Sequence, residues 1–231
     1  MRLIQLLSGG LDSTVLLAHL IDQHHLLEVV SVNYGQRHVK EIAAARSVAD
    51  YYGIGHDVIN LSDLGSLLTG SSLTDTDVEV PDGHYADVTM KATVVPNRNL
   101  LMLSAAAAVA VARKADGVAY AVHGGDHAIY PDCRPEFVMA AATALYLGTI
   151  GFGPDEAGIK LLAPFLEHDK GWIVRRGDEL QVPFAKTWSC YKGGEFHCGT
   201  CGTCNERREA FWLAGVSDPT VYEEAVHAAR Q

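Results

Sequence analysis

Seven residues near the start, Ser8-Gly9-Gly10-Leu11-Asp12-Ser13-Thr14, restrict the fold more than any other feature of the chain. The apolar run Leu3-Ile4-Gln5-Leu6-Leu7 precedes them and reads as a short buried strand. Residues 13–20 follow with helix-forming side chains, apolar on more than one face. A strand that turns through two glycines into a helix makes an anion cradle. The glycines allow torsions that bring successive N–H groups together, and the helix N-terminus adds unpaired donors and a partial positive charge. Ser8, Ser13 and Thr14 can supply hydroxyl donors, and Leu7 and Leu11 frame the loop. Asp12 cannot ligate phosphate by itself; it can bind Mg²⁺ or order the loop. The simpler alternative is a plain strand–turn–helix connection. Against it stands the full Ser-Gly-Gly-x-Asp-Ser, placed directly after the first strand. The loop has neither the Gly-Lys-Ser/Thr of a Walker loop nor the G-x-G-x-x-G of a dinucleotide fold.

The rest of the chain repeats the same rhythm. Further strands are expected at 29–34, 56–61, 118–123 and 161–163, and further helices at 39–52, 99–114, 135–147 and 169–180. Alternation of this kind predicts an α/β fold: a parallel, Rossmann-like sheet with helices on both faces. Residues 64–93, rich in Ser, Thr, Asp and Gly, interrupt the rhythm and read as a long, partly mobile excursion near the substrate site. The expected division is a domain over 1–187 that carries the phosphate loop, with a cysteine-rich segment, 188–231, packed on it as a tail.

Composition excludes little and ranks what remains. A formal net charge of −10 over 231 residues argues against a broad basic surface for nucleic acid. The longest apolar run, 100–112, falls short of the roughly 20 residues that span a bilayer. Its alanines suit a helix pressed against a sheet. No segment reads as a signal peptide, and a cytosolic location is expected. Five cysteines, an odd number, make a disulfide framework unattractive.

Four of the five, Cys190, Cys198, Cys201 and Cys204, crowd into one glycine-rich stretch. Four thiolates suit tetrahedral Zn²⁺, and a closed Cys₄ shell is structural, its binding energy contributing to folding. The expectation is one structural zinc per chain. An iron–sulfur cluster takes the same ligands but supplies electrons for which a phosphate-binding loop gives no use. A redox Cys-x-x-Cys pair would leave thiols over. His197 beside Cys198 reads as an outer-shell or surface residue. Cys133 reads as a small buried filler.

The loop resembles the pyrophosphatase loop of N-type ATP pyrophosphatases. Further motifs run nearly end to end in one order: Tyr34-Gly35-Gln36-Arg37-His38, Val95-Pro96-Asn97-Arg98-Asn99, Tyr130-Pro131-Asp132-Cys133-Arg134-Pro135-Glu136-Phe137, Ser189-Cys190-Tyr191, Cys198-Gly199-x-Cys201-x₂-Cys204 and Asp218-Pro219-Thr220. Together they resemble the 7-cyano-7-deazaguanine synthase family. Three places depart from its pattern: Asn33 where Asp is expected, Asn97 where Gly is common, and His127-Ala128-Ile129. The resemblance implies an adenine nucleotide α-hydrolase-like fold, a zinc ion, a homodimer, and Mg²⁺ with ATP. It also implies the conversion of 7-carboxy-7-deazaguanine, ammonia and ATP into a nitrile precursor of queuosine-type bases.

The resemblance also sets roles for residues. The loop, Ser8 to Ser13 with Asp12, is expected to hold the pyrophosphate and Mg²⁺. Arg98 and Lys170 are candidates to neutralise phosphate charge, and Arg37 and Arg134 to do the same or to grip the substrate carboxylate. Asp132, and after it Asp126, is the candidate to read the guanine-like edge. His38 and His123 are candidate proton carriers. No residue suits a glutaminase, since Arg2 follows Met1 and Cys133 is the only cysteine outside the cluster, so free ammonia is the expected nitrogen source. Competing readings are a tRNA-thiolating adenylase, a deazaguanine-transferring enzyme of a phage or defence pathway, and a zinc module that only senses ATP.

Overall fold

The computed structural model describes residues 1–37, 40–85 and 90–228, with the side chain of His227 excepted. His38 and residues 86–89 of the expected excursion lie outside the described residues.

The strand β1, Arg2–Leu6, is buried over its last four residues, as a central parallel strand requires. Pleating sends its side chains to opposite faces. Leu3 joins one apolar cluster and Ile4 and Leu6 join another. Flanking strands β2 (Leu26–Asn33), β3 (His56–Asn60), β4 (Gly117–Ala119) and β5 (Lys160–Leu162) complete a five-stranded, all-parallel sheet in the order β3-β2-β1-β4-β5.

Parallel neighbours need crossovers, and helices supply them on both faces. α1 (Leu11–Asp22) and α2 (Lys40–Tyr52) cover one face. α3 (Arg98–Ala112) and α4 (Pro135–Gly148) cover the other, packing through Leu103, Ala106, Ala110, Val138 and Leu145 on Ile4, Val30 and Val118. The side of the sheet changes after β3, so the connections leaving β1 and β4 diverge. Open α/β sheets bind ligands in the crevice this creates at the carboxyl ends of the strands.

The stretch Lys91–Ala112, 22 residues, is by length and composition long and apolar enough to cross a membrane, more than the run 100–112 suggested. Here it is broken. Asn97 sits in the left-handed region at φ 60°, and the continuous helix beyond it has 15 residues, about 22 Å, against a hydrocarbon core of about 30 Å. The left-handed torsion also explains Asn97 as a departure from Gly, because Asn is the side-chain-bearing residue that best tolerates it. Asn33 keeps the local geometry as well, its Oδ1 accepting the Gly35 N–H at 3.1 Å.

Strand β4 is shorter than expected and stops at Ala119. Its neighbour β5 ends at Leu162 and Pro164 soon follows, which has no N–H for a ladder. The Tyr120 N–H makes a last bond to the Leu162 carbonyl at 3.1 Å, and Tyr120, Ala121 and Val122 line the crevice. At the C-terminal end, α5 (Lys170–Glu179) packs against α6 (Gly202–Ala214), and both lie on the α1 side through Ile173, Val174, Ala210 and Phe211.

Candidate active site

The crevice begins with the glycine loop. Gly9 adopts φ 83°, and a Cβ there would lie 2.3 Å from the Glu41 carbonyl oxygen and 2.5 Å from the Ala45 nitrogen. Only glycine fits, because the loop is pressed against α2. Ser13 Oγ accepts the Ser8 N–H at 3.2 Å and lies 3.0 Å from Ser8 Oγ, which itself accepts the Gly10 N–H. Among the described residues no side chain caps α1, and its first intrahelical acceptor is the Gly10 carbonyl, which takes the Thr14 N–H. The N–H groups of residues 11–13 therefore remain available to an anion. Thr14 takes a different part from the one expected of it: it is fully buried and its hydroxyl donates to the Gly10 carbonyl at 2.8 Å. Buried Gln5, a β1 residue, reaches from below to donate to the Ser13 carbonyl at 2.7 Å.

A charged cluster stands beside the loop. Lys170 Nζ lies 2.5 Å from Glu206 Oε2 and 3.4 Å from Asp12 Oδ2. His123 Nε2 lies 3.5 Å from Asp126 Oδ2 and 3.9 Å from Asp12 Oδ2. The Tyr85 hydroxyl donates to Asp126 Oδ1 at 2.8 Å. Burial works against the Lys170 charge, but Asp12, Glu206 and Asp126 outweigh it and hold the ammonium above its ordinary pKa. Burial likewise pushes the Asp126 carboxyl up, and the pull of His123, Lys170 and Tyr85 prevails, leaving it below the usual range. Asp12 Oδ1 and His123 Nε2 are buried and make no hydrogen bond with any described residue. His123 Nδ1 accepts the Gly125 N–H at 3.1 Å, so in the neutral ring the proton sits on Nε2, facing the carboxylates.

One cavity contains most of this. Its wall includes Leu7, Ser8, Gly10, Leu11, Asp12 and Ser13 from the loop, with Arg98, Asp126 and Lys170 opposite. Tyr34, Tyr85, Tyr120, Tyr130, Tyr191 and Trp188 give it aromatic surface for a flat heterocycle. Arg37, Asp132 and Arg134 stand away from the cavity wall, and each does backbone work. Arg37 donates to the carbonyls of Thr76 (2.6 Å) and Val78 (3.3 Å), tying down the excursion. Asp132 is buried and accepts the Asn99 N–H at 2.9 Å near the start of α3. Arg134 is exposed and donates to the His127 carbonyl at 2.9 Å. Cys133 does reach the cavity wall; burial pushes its thiol far up, and its Sγ accepts from Asn99 Nδ2 at 3.2 Å, as suits a packing residue.

Sequence reasoning missed Glu41 and Glu206, which also line the cavity. Neither has a local signal. Glu206 is carried in by α6, whose position depends on the four cysteines.

Those cysteines form a compact centre. Their sulfurs lie within 4.8 Å of one another, and Cys198 Sγ and Cys204 Sγ are 3.9 Å apart. A tetrahedron with metal–sulfur bonds of about 2.3 Å has edges of about 3.8 Å, so the donor set fits a zinc ion. Backbone N–H groups of Cys198, Thr200 and Cys201 point at Cys190 Sγ or Cys198 Sγ from 3.3–3.4 Å, as thiolates require. His197 is not at the surface. It is buried against Trp188 (centroids 4.3 Å apart) and accepts the Ser189 N–H at 3.1 Å, and burial pushes its pKa down to about 4.

The centre is tied to the glycine loop. The Trp188 N–H donates to the Gly9 carbonyl at 2.9 Å. Buried Arg207 fixes the intervening strap, donating to Thr187 Oγ1 (2.8 Å), Ser189 Oγ (3.0 Å) and the Phe184 carbonyl (3.1 Å), with Asp218 at 3.4 Å. The excursion closes on the same segment, the Gly83 N–H donating to the Thr200 carbonyl at 2.9 Å.

A family model described as queuosine biosynthesis protein QueC matches residues 2–215. A 7-cyano-7-deazaguanine synthase of Brucella anthropi is 54% identical over 225 residues, 97% of this chain and 95% of that protein. The like-named protein of Brucella ovis is 53% identical over the same shares. Among solved structures, an NMN synthetase of Francisella tularensis superposes with TM-score 0.48 at 17% identity, covering 98% of this chain and 80% of that one. A predicted subunit of a tRNA methyltransferase from Methanocaldococcus jannaschii gives TM-score 0.49 at 13% identity over 78% and 75%.

Proposed function

Because this chain belongs to the queuosine biosynthesis QueC family, we propose that it is an ATP-dependent ligase that converts 7-carboxy-7-deazaguanine and ammonia into 7-cyano-7-deazaguanine. The observation that carries this reading is the single cavity in which an anion-binding loop, a lysine held by carboxylates and a ring of aromatic side chains meet.

The chemistry follows from what a carboxylate lacks. Its charge repels nucleophiles and oxide is a poor leaving group. Transfer of AMP to one carboxylate oxygen removes both obstacles, with pyrophosphate leaving. Ammonia then forms the C–N bond as the C–O bond to AMP breaks, giving an amide. A second adenylation, on the amide oxygen, lets that oxygen depart with AMP as the amide nitrogen loses two protons and becomes the nitrile. Both oxygens occupy nearly the same place on the substrate, so one pocket serves both steps. Charge stabilisation and positioning supply most of the acceleration.

In this reading the N–H groups of residues 11–13, with Ser8 and Ser13, receive the pyrophosphate. Lys170 and Arg98 balance its charge. Mg²⁺, when bound with ATP, would be held at Asp12, whose Oδ1 makes no hydrogen bond with any described residue, and would neutralise phosphate charge there. Asp126 reads the N1–H and exocyclic amine of the base; its place on the cavity wall supports it over Asp132. The four cysteines hold one structural zinc, and residues 188–231 act as a unit docked on residues 1–187. A homodimer through α4 and the turn that follows it is supported by exposed Met139, Tyr146, Leu147, Ile150 and Phe152, and a monomeric mass at high concentration would overturn it.

A time course tests the function. The amide should appear before the nitrile, added amide should be converted with ATP and no ammonia, and two ATP should be consumed per nitrile. An inert amide, or arrest at the amide with one ATP used, would make the chain an amide synthetase.

A further inference from the structure

We propose that Glu41 is the catalytic base that takes a proton from ammonium in the amide-forming step. The proposal rests on the function given above.

Four carboxylates line the cavity: Asp12, Asp126, Glu206 and Glu41. Three are engaged. Asp12 and Glu206 flank Lys170, and Asp126 accepts from Tyr85 and faces His123. Glu41 makes no hydrogen bond or ion pair with any described residue, although it stands in the first turn of α2 with its backbone against Gly9 of the phosphate loop. It therefore sits beside the place where the adenylate forms while remaining uncommitted. Among the described residues, the charged and titratable groups that face it are Arg98, at the start of α3, and the Tyr34 hydroxyl, just beyond β2. Burial raises the Glu41 carboxyl to about 7 against the pull of Arg98, which suits proton transfer at neutral pH.

The need is chemical. At neutral pH the nitrogen source is almost entirely ammonium, which has no lone pair. The Glu41 carboxylate accepts one N–H proton and becomes a carboxylic acid. The ammonia released attacks the acyl-adenylate carbon, the C–N bond forms, and AMP leaves with the electron pair of the broken C–O bond. The second surplus nitrogen proton passes to solvent, and Glu41 returns its own to solvent before the next turnover. The amide-to-nitrile step consumes no ammonium, so Glu41 is idle in it.

The test is Glu41→Gln, assayed separately on the two steps. At pH 7 with ammonium limiting, amide formation should fall at least 30-fold, while conversion of added amide to nitrile, which reports an intact fold and ATP site, should change less than threefold. Between pH 7 and 9 the variant should gain about tenfold per pH unit, following free ammonia, whereas the parent should level off above pH 7. Hydroxylamine, largely unprotonated at neutral pH, should restore acyl transfer to within threefold of the parent. Equal losses on both steps would place Glu41 in ATP binding or packing and overturn the proposal. So would a pH profile parallel to the parent's, or failure of hydroxylamine to rescue. Failure of the parent itself to make amide or nitrile would instead refute the function on which the proposal rests.

Discussion

Lys170 and Glu206 meet at 2.5 Å, and this contact joins the helix of the cysteine centre to the phosphate loop, because the same ammonium lies 3.4 Å from Asp12. The pair is buried enough that removing one partner leaves an uncompensated charge. Glu206→Gln should therefore keep the fold but let Lys170 shift toward Asp12. A tenfold or greater loss in kcat for pyrophosphate exchange is expected, with a smaller change in the KM for ATP. Lys170→Met should cost more: about 3 kcal/mol of stability and nearly all exchange activity. A Glu206→Gln enzyme with parental kinetics would show that the contact is only packing.

Removal of the metal should weaken the ATP site as well as the tail. Purified protein should contain about one zinc per chain, and Cys201→Ser or a strong chelator should lower both Tm and ATP affinity. Full occupancy by iron with a visible chromophore would contradict a zinc centre.

Arg207 is 1% exposed and makes its hydrogen bonds to a strap that reaches Gly9. Arg207→Met should destabilise the protein by about 3 kcal/mol, a fall in Tm of roughly 6–12 °C for a chain of this size. Thermal melts decide it; a change under 2 °C would mean that the strap holds itself.

Stability should depend on pH through Glu41. Its carboxyl pKa is raised from 4.5 to about 7, so the folded state favours the protonated form. The stability this supplies is complete below about pH 4.5 and is lost as pH rises through about 7. Glutamine has no charge to bury. Glu41→Gln should be more stable than the parent at pH 8 by about 2 kcal/mol, allowing for partial exposure, with the gap closing toward pH 5. Melting curves at the two pH values test this, and identical curves at pH 8 would mean that the charged carboxylate is well solvated.

Much of the architecture was legible in the sequence for local reasons. The Gly9-Gly10 turn, the alternating strands and helices, and the cysteine spacing each report on their own few residues. What was not legible depends on tertiary placement. Asp132 and Arg134 belong to a motif, yet their hydrogen bonds go to nearby backbone, to Asn99 N and the His127 carbonyl. Glu41 and Glu206 carry no motif, and they enter the cavity because α2 presses on Gly9 and because the cysteine centre orients α6. Strand β4 was overestimated because its apolar pattern continues through Val122 while its ladder partner ends. The side chains released there became the inner wall of the site.

The hydrogen bond from Trp188 to Gly9 also orders events during translation. The phosphate loop leaves the ribosome before the strap, the cysteines and Glu206, which follow about 180 residues later. A nascent chain thus carries an anion-binding loop with no wall to exclude water and no Glu206 to hold Lys170. Closure of the four-cysteine centre needs Cys204, so a complete wall around the phosphate loop waits on residues made long after the loop itself.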